Sequence, residues 1–116
     1  MMKQVLVAVA VALVATSAFA AGDVKVGKAK YDMMCQSCHG ATGAGDGPAG
    51  KALKPPARNF TDAAWQASRK DEDLRKVITK GGAAAGLSPL MPALGAAMKP
   101  DEVDGVIAYI RSMAKK

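Results

Sequence analysis

Large side chains are scarce in this 116-residue chain: two Phe, two Tyr and one Trp stand among twelve glycines and many alanines. A core built from so few big groups is thin, and in a domain of this size a hydrophobic core alone is marginal. A bulky apolar group enclosed by the chain would supply the buried area that these residues do not. Histidine occurs once, at His39, and cysteine twice, at Cys35 and Cys38. With no second Cys/His pair, the three- and four-ligand zinc sites are excluded. No strand-like run of alternating β-branched residues surrounds Cys35, which argues against a thioredoxin-type βαβ redox motif. No dense Lys/Arg block is interleaved with aromatics, so nucleic acid is not an expected partner.

Long apolar runs are confined to the start of the chain. Lys3, an apolar stretch from Val5 to Ala15, and Ala18 and Ala20 in A-x-A spacing read as a signal peptide over residues 1–20, cleaved before Ala21. The run falls short of the ~20 residues of a spanning helix, so no stable membrane insertion is expected after cleavage. Export to the periplasm follows, and there free thiols become oxidised unless something captures them. Residues 21–116 remain as one domain, expected to be a monomer. Losing Lys3 takes the formal charge from +6 to +5, a basic balance that favours partners with acidic docking surfaces.

The pattern along the domain is all-α. A first helix is predicted to start near Asp23, a good N-cap, and to run through Val26, Ala29, Tyr31 and Met33 or Met34 to deliver Cys35. Five glycines and three prolines between Gly40 and Asn59 predict a loop wrapped around something, with at most a turn at Gly50–Leu53. A short helix follows Thr61, and a longer one carries Leu74, Val77 and Ile78 and stops at Gly81-Gly82. A second loop, 83–97, contains Pro89 and Pro92. The last helix begins at Pro100, with Asp101 and Glu102 at the positive end of its dipole and Lys115 and Lys116 at the negative end. Val103, Val106, Ile107, Ile110 and Met113 form its apolar stripe.

Cys35-Gln36-Ser37-Cys38-His39 carries the chemistry. Two thiols two residues apart can each form a thioether to one haem vinyl group, and the adjacent imidazole then reaches the iron. A bare C-x-x-C also serves disulfide exchange, but a disulfide leaves His39 unexplained. The reading is therefore one covalent haem c per chain. Because His39 is the only histidine, bis-histidine ligation is excluded, and the sixth position falls to Met, Lys, water or nothing. Met/His is the pairing that raises the potential of an electron carrier. Met33 and Met34 sit beside Cys35 on the same helix, and Met113 fits the last helix's stripe. The choice narrows to Met91 and Met98, and Pro89 and Pro92 favour Met91 by keeping its backbone extended.

With the haem motif early and Met91-Pro92 late, the sequence resembles the class I cytochrome c family over essentially the whole mature domain. That resemblance implies a small all-α fold with helices and loops wrapped around one haem, and a one-electron carrier without enzymatic activity. It implies that the first and last helices cross through Gly27, Tyr31 and Tyr109. A proline carbonyl, from Pro55 or Pro56 with Pro48 as the alternative, is expected to accept the free ring N–H of His39. Arg58 and Trp65 are candidate donors to a haem propionate. The stretch from Gly45 to Thr61 is similar to a subgroup of single-haem domains resembling cytochrome subunits of bacterial oxidases. Partners are then other redox proteins, met in transient encounters; a fixed subunit of a periplasmic dehydrogenase or reductase, and a haem-based gas sensor, are the alternatives.

Overall fold

Asp23 lies in extended backbone, and its carboxylate accepts the Lys25 N–H at 2.8 Å. This cap starts α1 (Val24–Met34) in the computed structural model, which describes residues 22–115. The signal peptide predicted over 1–20, and Lys116, lie outside the described residues. The helix breaks at Cys35, where a single further turn, α2 (Gln36–His39), carries the rest of the Cys/His motif and ends at Gly40. The loop that follows folds back on this turn: the N–H of Gly45 reaches the His39 carbonyl at 2.8 Å, and that of Gly47 the Cys38 carbonyl at 3.2 Å. Its one helical turn, α3 (Pro48–Lys51), starts at Pro48, two residues before the predicted turn. Pro48 fixes φ where the first helical residue needs it, which moves the start to it.

Asp62 accepts from the N–H groups of Ala64 and Trp65 and opens α4 (Ala63–Ser68). Then α5 (Asp71–Lys80) puts Asp71, Glu72 and Asp73 in its first turn, where the helix dipole favours them. It stops at Gly81, whose φ of +86° suits glycine. Two short 3-10 turns, Ala83–Ala85 and Gly95–Ala97, interrupt the second loop. The last helix, α6 (Pro100–Ser112), begins at Pro100 as predicted but ends before the lysines. Beyond it the Lys115 N–H pairs with the Thr61 carbonyl at 2.9 Å, and Arg111 is the basic residue of the last turn. Among the described residues there is no strand, and no helix is long and apolar enough to cross a membrane.

The core forms where α1 crosses α6, with α5 packed beside α6. Val103, Val106, Ile107 and Ile110 are buried along α6. On α1 the buried residues are Gly27 and Tyr31, whereas Val26 and Met33 are exposed; the tight crossing leaves room for a glycine and one ring, and pushes the neighbouring side chains outward. A Cβ on Gly27 would collide with the Gly105 carbonyl, and one on Gly105 would stand 2.8 Å from the Asp23 carbonyl. Both helices therefore give up a side chain so that their backbones can touch. Tyr31 is fully buried, packs edge-on against Tyr109 at 5.1 Å, and donates its hydroxyl to the Gly40 carbonyl at 2.7 Å. Ion pairs trim the same assembly: Lys30–Glu102 at 3.0 Å joins α1 to α6, and Arg75–Asp104 joins α5 to α6. Partly exposed pairs of this kind contribute at most about 1 kcal/mol each, so they adjust the packing more than they drive it.

Three outcomes are expected. Gly27→Ala should lower the unfolding free energy by about 1–3 kcal/mol through overpacking, while Lys28→Ala at an exposed site stays within about 0.5 kcal/mol, both read by denaturant titration. Glu102 is held below the usual carboxylate range, first by the Lys99 N–H and then by Lys30. A depressed folded value means its contribution is present above the unfolded value and lost as pH falls through the folded one. Glu102→Gln should therefore flatten the fall in stability as pH drops below the ordinary value of 4.5, measured by the same titration at successive pH values.

Candidate functional site

Helix α1 ends by presenting Cys35, and α2 adds Cys38 and His39, all three at the wall of one cavity. Cys35 and Cys38 are not joined to each other. Cys35 is buried, and burial, followed by the nearby Cys38, pushes its thiol up to about 11, so it is neutral at physiological pH.

The His39 ring is gripped from two directions. Its Nδ1 lies 3.1 Å from the Arg58 carbonyl, and the Phe60 ring stacks on it at 4.3 Å with an interplanar angle of 17°. A carbonyl can only accept, so the proton sits on Nδ1 and the Nε2 lone pair is free for a metal. Burial lowers the His39 pKa and so favours the neutral ring, outweighing a smaller upward pull from the Arg58 carbonyl. The acceptor is therefore Arg58 and not Pro55, Pro56 or Pro48. The reason is local: the Phe60 N–H bonds the Gly43 carbonyl at 2.6 Å, drawing residues 58–60 alongside the loop that follows the motif. Pro55 and Pro56 line the cavity instead.

Met91 also lines this cavity, whereas Met98 is buried in the core and is absent from the cavity wall. The Met91 loop is fastened to the end of α5. The Gly82 N–H reaches the Met91 carbonyl at 3.0 Å, the Leu87 N–H reaches the Gly82 carbonyl at 2.8 Å, and the Leu94 N–H reaches the Ile78 carbonyl at 2.8 Å. A Cβ on Gly82 would strike the Ser88 carbonyl and press on the Met91 Cβ at 3.1 Å.

Between these walls lies a cavity of about 690 Å³, lined largely by apolar groups such as Leu53, Leu74, Val77 and Ile78. That size and lining suit a cofactor. The indole N–H of Trp65, another lining residue, is buried with no hydrogen-bond partner. An orphaned buried donor costs about 1–3 kcal/mol, so an acceptor belonging to whatever fills the cavity is called for. A haem fits these residues: a flat apolar body for the walls, vinyl groups for two thiols, iron for a neutral imidazole and a thioether, and a propionate for the Trp65 N–H. Among the described residues no cluster of three or more His, Cys, Asp or Glu side chains could hold a bare metal ion.

Arg58, a candidate propionate donor, lines the cavity, and Arg69 and Asp73 join it unannounced. Arg69 comes four residues after Trp65, one helical turn on, and that spacing was its only signal. Gln66 and Arg111 also escape the sequence reading. Gln66 is buried in α4 and donates to the carbonyls of Phe60 at 2.8 Å and Ile110 at 2.7 Å. Arg111 binds its side-chain oxygen at 2.9 Å, the carbonyls of Gln66 and Arg69 at 2.6 and 2.5 Å, and Asp71 at 2.9 Å.

A family model described as Cytochrome c matches residues 24–114. No curated protein matches the chain. Gly82→Ala is expected to displace the Met91 loop and to lower stability by about 1–3 kcal/mol, seen as a lower melting temperature together with a moved Met91 methyl resonance.

Proposed function

The chain belongs to the cytochrome c family, and on that premise we propose that it is a periplasmic one-electron carrier with one haem c attached through Cys35 and Cys38. Family membership carries electron transport and a haem-containing fold; the axial ligands, the location and the partners are our reading. The observation that supports it most is the convergence of Cys35, Cys38, His39 and Met91 on a single apolar cavity.

When bound, haem supplies a reversible ferric/ferrous couple. Everything else falls to the chain. The Arg58 carbonyl holds the Nδ1 proton of His39 and so leaves Nε2 to the iron, raising the basicity of the imidazole. Met91 offers a soft thioether sulfur, which favours the ferrous state and raises the potential. Leu53, Leu74, Val77 and Ile78 exclude water from the site, and Trp65 with Arg58 or Arg69 binds the propionates. With His39 and Met91 both engaged in holding the group, the chain would leave no place for a substrate beside it. Excess basic charge steers acidic redox partners into encounters that bury less than about 1,200 Å² and release quickly. The leader over 1–20 supports export, and transient encounters fit a monomer.

Native, Met91→Ala and Met98→Ala proteins, expressed with residues 1–20 in a host that matures c-type cytochromes, separate the possibilities. The native ferric spectrum is expected to show the weak long-wavelength methionine-to-iron band, lost in Met91→Ala and kept in Met98→Ala. Its mass is expected to equal the chain from Ala21 plus one haem. A native protein without the band, or a ferrous form that binds carbon monoxide readily, would move the function to ligand sensing; stable co-purification with a dehydrogenase would make it a fixed subunit.

A further inference from the structure

We propose that the buried amide of Gln66, locked by Arg111, is a positioning device for the His39 imidazole. Neither residue lines the cavity, so any influence on the site passes through others, and the route is continuous. Gln66 Nε2 donates to the Phe60 carbonyl at 2.8 Å. Phe60 stacks on the His39 ring, and Arg58, two residues earlier, accepts from its Nδ1. The segment 58–60 therefore holds His39 by a face and by an edge, and Gln66 ties that segment to α6 through its second donation, to the Ile110 carbonyl.

The clamp is satisfied on every side. Both amide hydrogens of Gln66 are used, and its oxygen accepts from Arg111, which is itself anchored to Asp71 and to the carbonyls of Gln66 and Arg69. Gln66 is buried, so losing a partner leaves its amide without water to replace it, which makes the fully bonded arrangement a rigid one. Rigidity is needed at this point. Helix α4 has six residues, too few to persist unaided, and it makes no extended helix–helix packing. Residues 58–60 have no regular secondary structure of their own. Besides the backbone bonds from Phe60 to Gly43 and from Lys115 to the neighbouring Thr61, the hydrogen bond from Gln66 is what holds them above α6. Gln66 and Arg111 are positioning residues: the first sets the segment, the second sets the first.

The consequence for the site rests on the reading of His39 as iron ligand, but the geometry is testable apart from it. Hydrogen exchange of the His39 Nδ1 proton, followed by NMR in the holoprotein, reports how often segment 58–60 lifts off the ring. Three variants are compared with the native protein. Gln66→Leu removes the clamp, Gln66→Glu keeps the acceptor for Arg111 but loses both donations, and Val106→Ala loosens the core at the α1–α6 crossing without touching the clamp. Exchange is expected to rise roughly five- to thirty-fold in both Gln66 variants, as loss of one or two hydrogen bonds implies, and less in Val106→Ala at matched global stability. Unchanged exchange in the Gln66 variants, or an equal rise in Val106→Ala, overturns the proposal. Should Gln66→Leu fail to fold, Gln66→Glu decides alone. Failure of the ligand reading is seen separately, in the native absorption spectrum.

Discussion

The close contact of α1 and α6 at Gly27 and Gly105 is the constraint on which the remaining structure depends. Two backbones touch there because neither residue carries a Cβ, and the touch sets how far α1 projects before Cys35 ends it. The Cys/His turn is placed by that projection. Tyr31, one turn beyond Gly27, closes the crossing and hands its hydroxyl to Gly40, so the residue just past His39 is tied to the same contact. Burial pushes the Tyr31 hydroxyl above its usual range, which leaves it a permanent donor. From the other helix, Ile110 and Arg111 reach α4 and α5. One glycine pair thus relates the wall that carries the thiols to the wall that carries Trp65.

The few aromatic side chains are spent around one residue. Phe60 touches His39, Trp65 lies 5.4 Å from Phe60, and Tyr31 meets Phe60 edge-on at 6.4 Å. This cluster covers one side of the cavity, while aliphatic residues of α5 and the Met91 loop cover another. A domain so poor in large side chains folds around a cavity it does not fill itself, and the unpaired Trp65 N–H shows that its polar accounting is open at the same place. Both features suit one and the same bound group.

Much of this was legible because the signals were local. Asp23 and Pro100 act within one helical turn, and the spacing of Cys35, Cys38 and His39 is a covalent fact of the chain. The near contact at Gly27 could be anticipated, since a glycine inside a helix invites a reason; its partner Gly105 could not be singled out, because the stripe around it is read from its large residues. Met91 could be preferred over Met98 from two prolines, and the structure separates them, one at the cavity and one in the core. What stayed hidden was non-local or made by backbone. The acceptor for His39 is a main-chain carbonyl, identical in every residue, so no side-chain pattern distinguishes Arg58 from Pro55 or Pro56. Gln66 and Arg111 are 45 residues apart and polar, and each alone looks like a solvent-facing position.

The manner in which Met91 is fastened has a consequence for how the molecule breathes. Its bonds run to Gly82, Ser88 and the end of α5, all within residues 78–94. Those of His39 run through Phe60 and Gln66 to the last helix, and through Gly40 and Tyr31 to the first. Local contacts open at lower free energy than contacts that must break with the whole domain. The two ends of the cavity therefore belong to different cooperative units: the segment bearing the sulfur can part from the site as a small excursion, while the imidazole leaves only when the fold itself gives way.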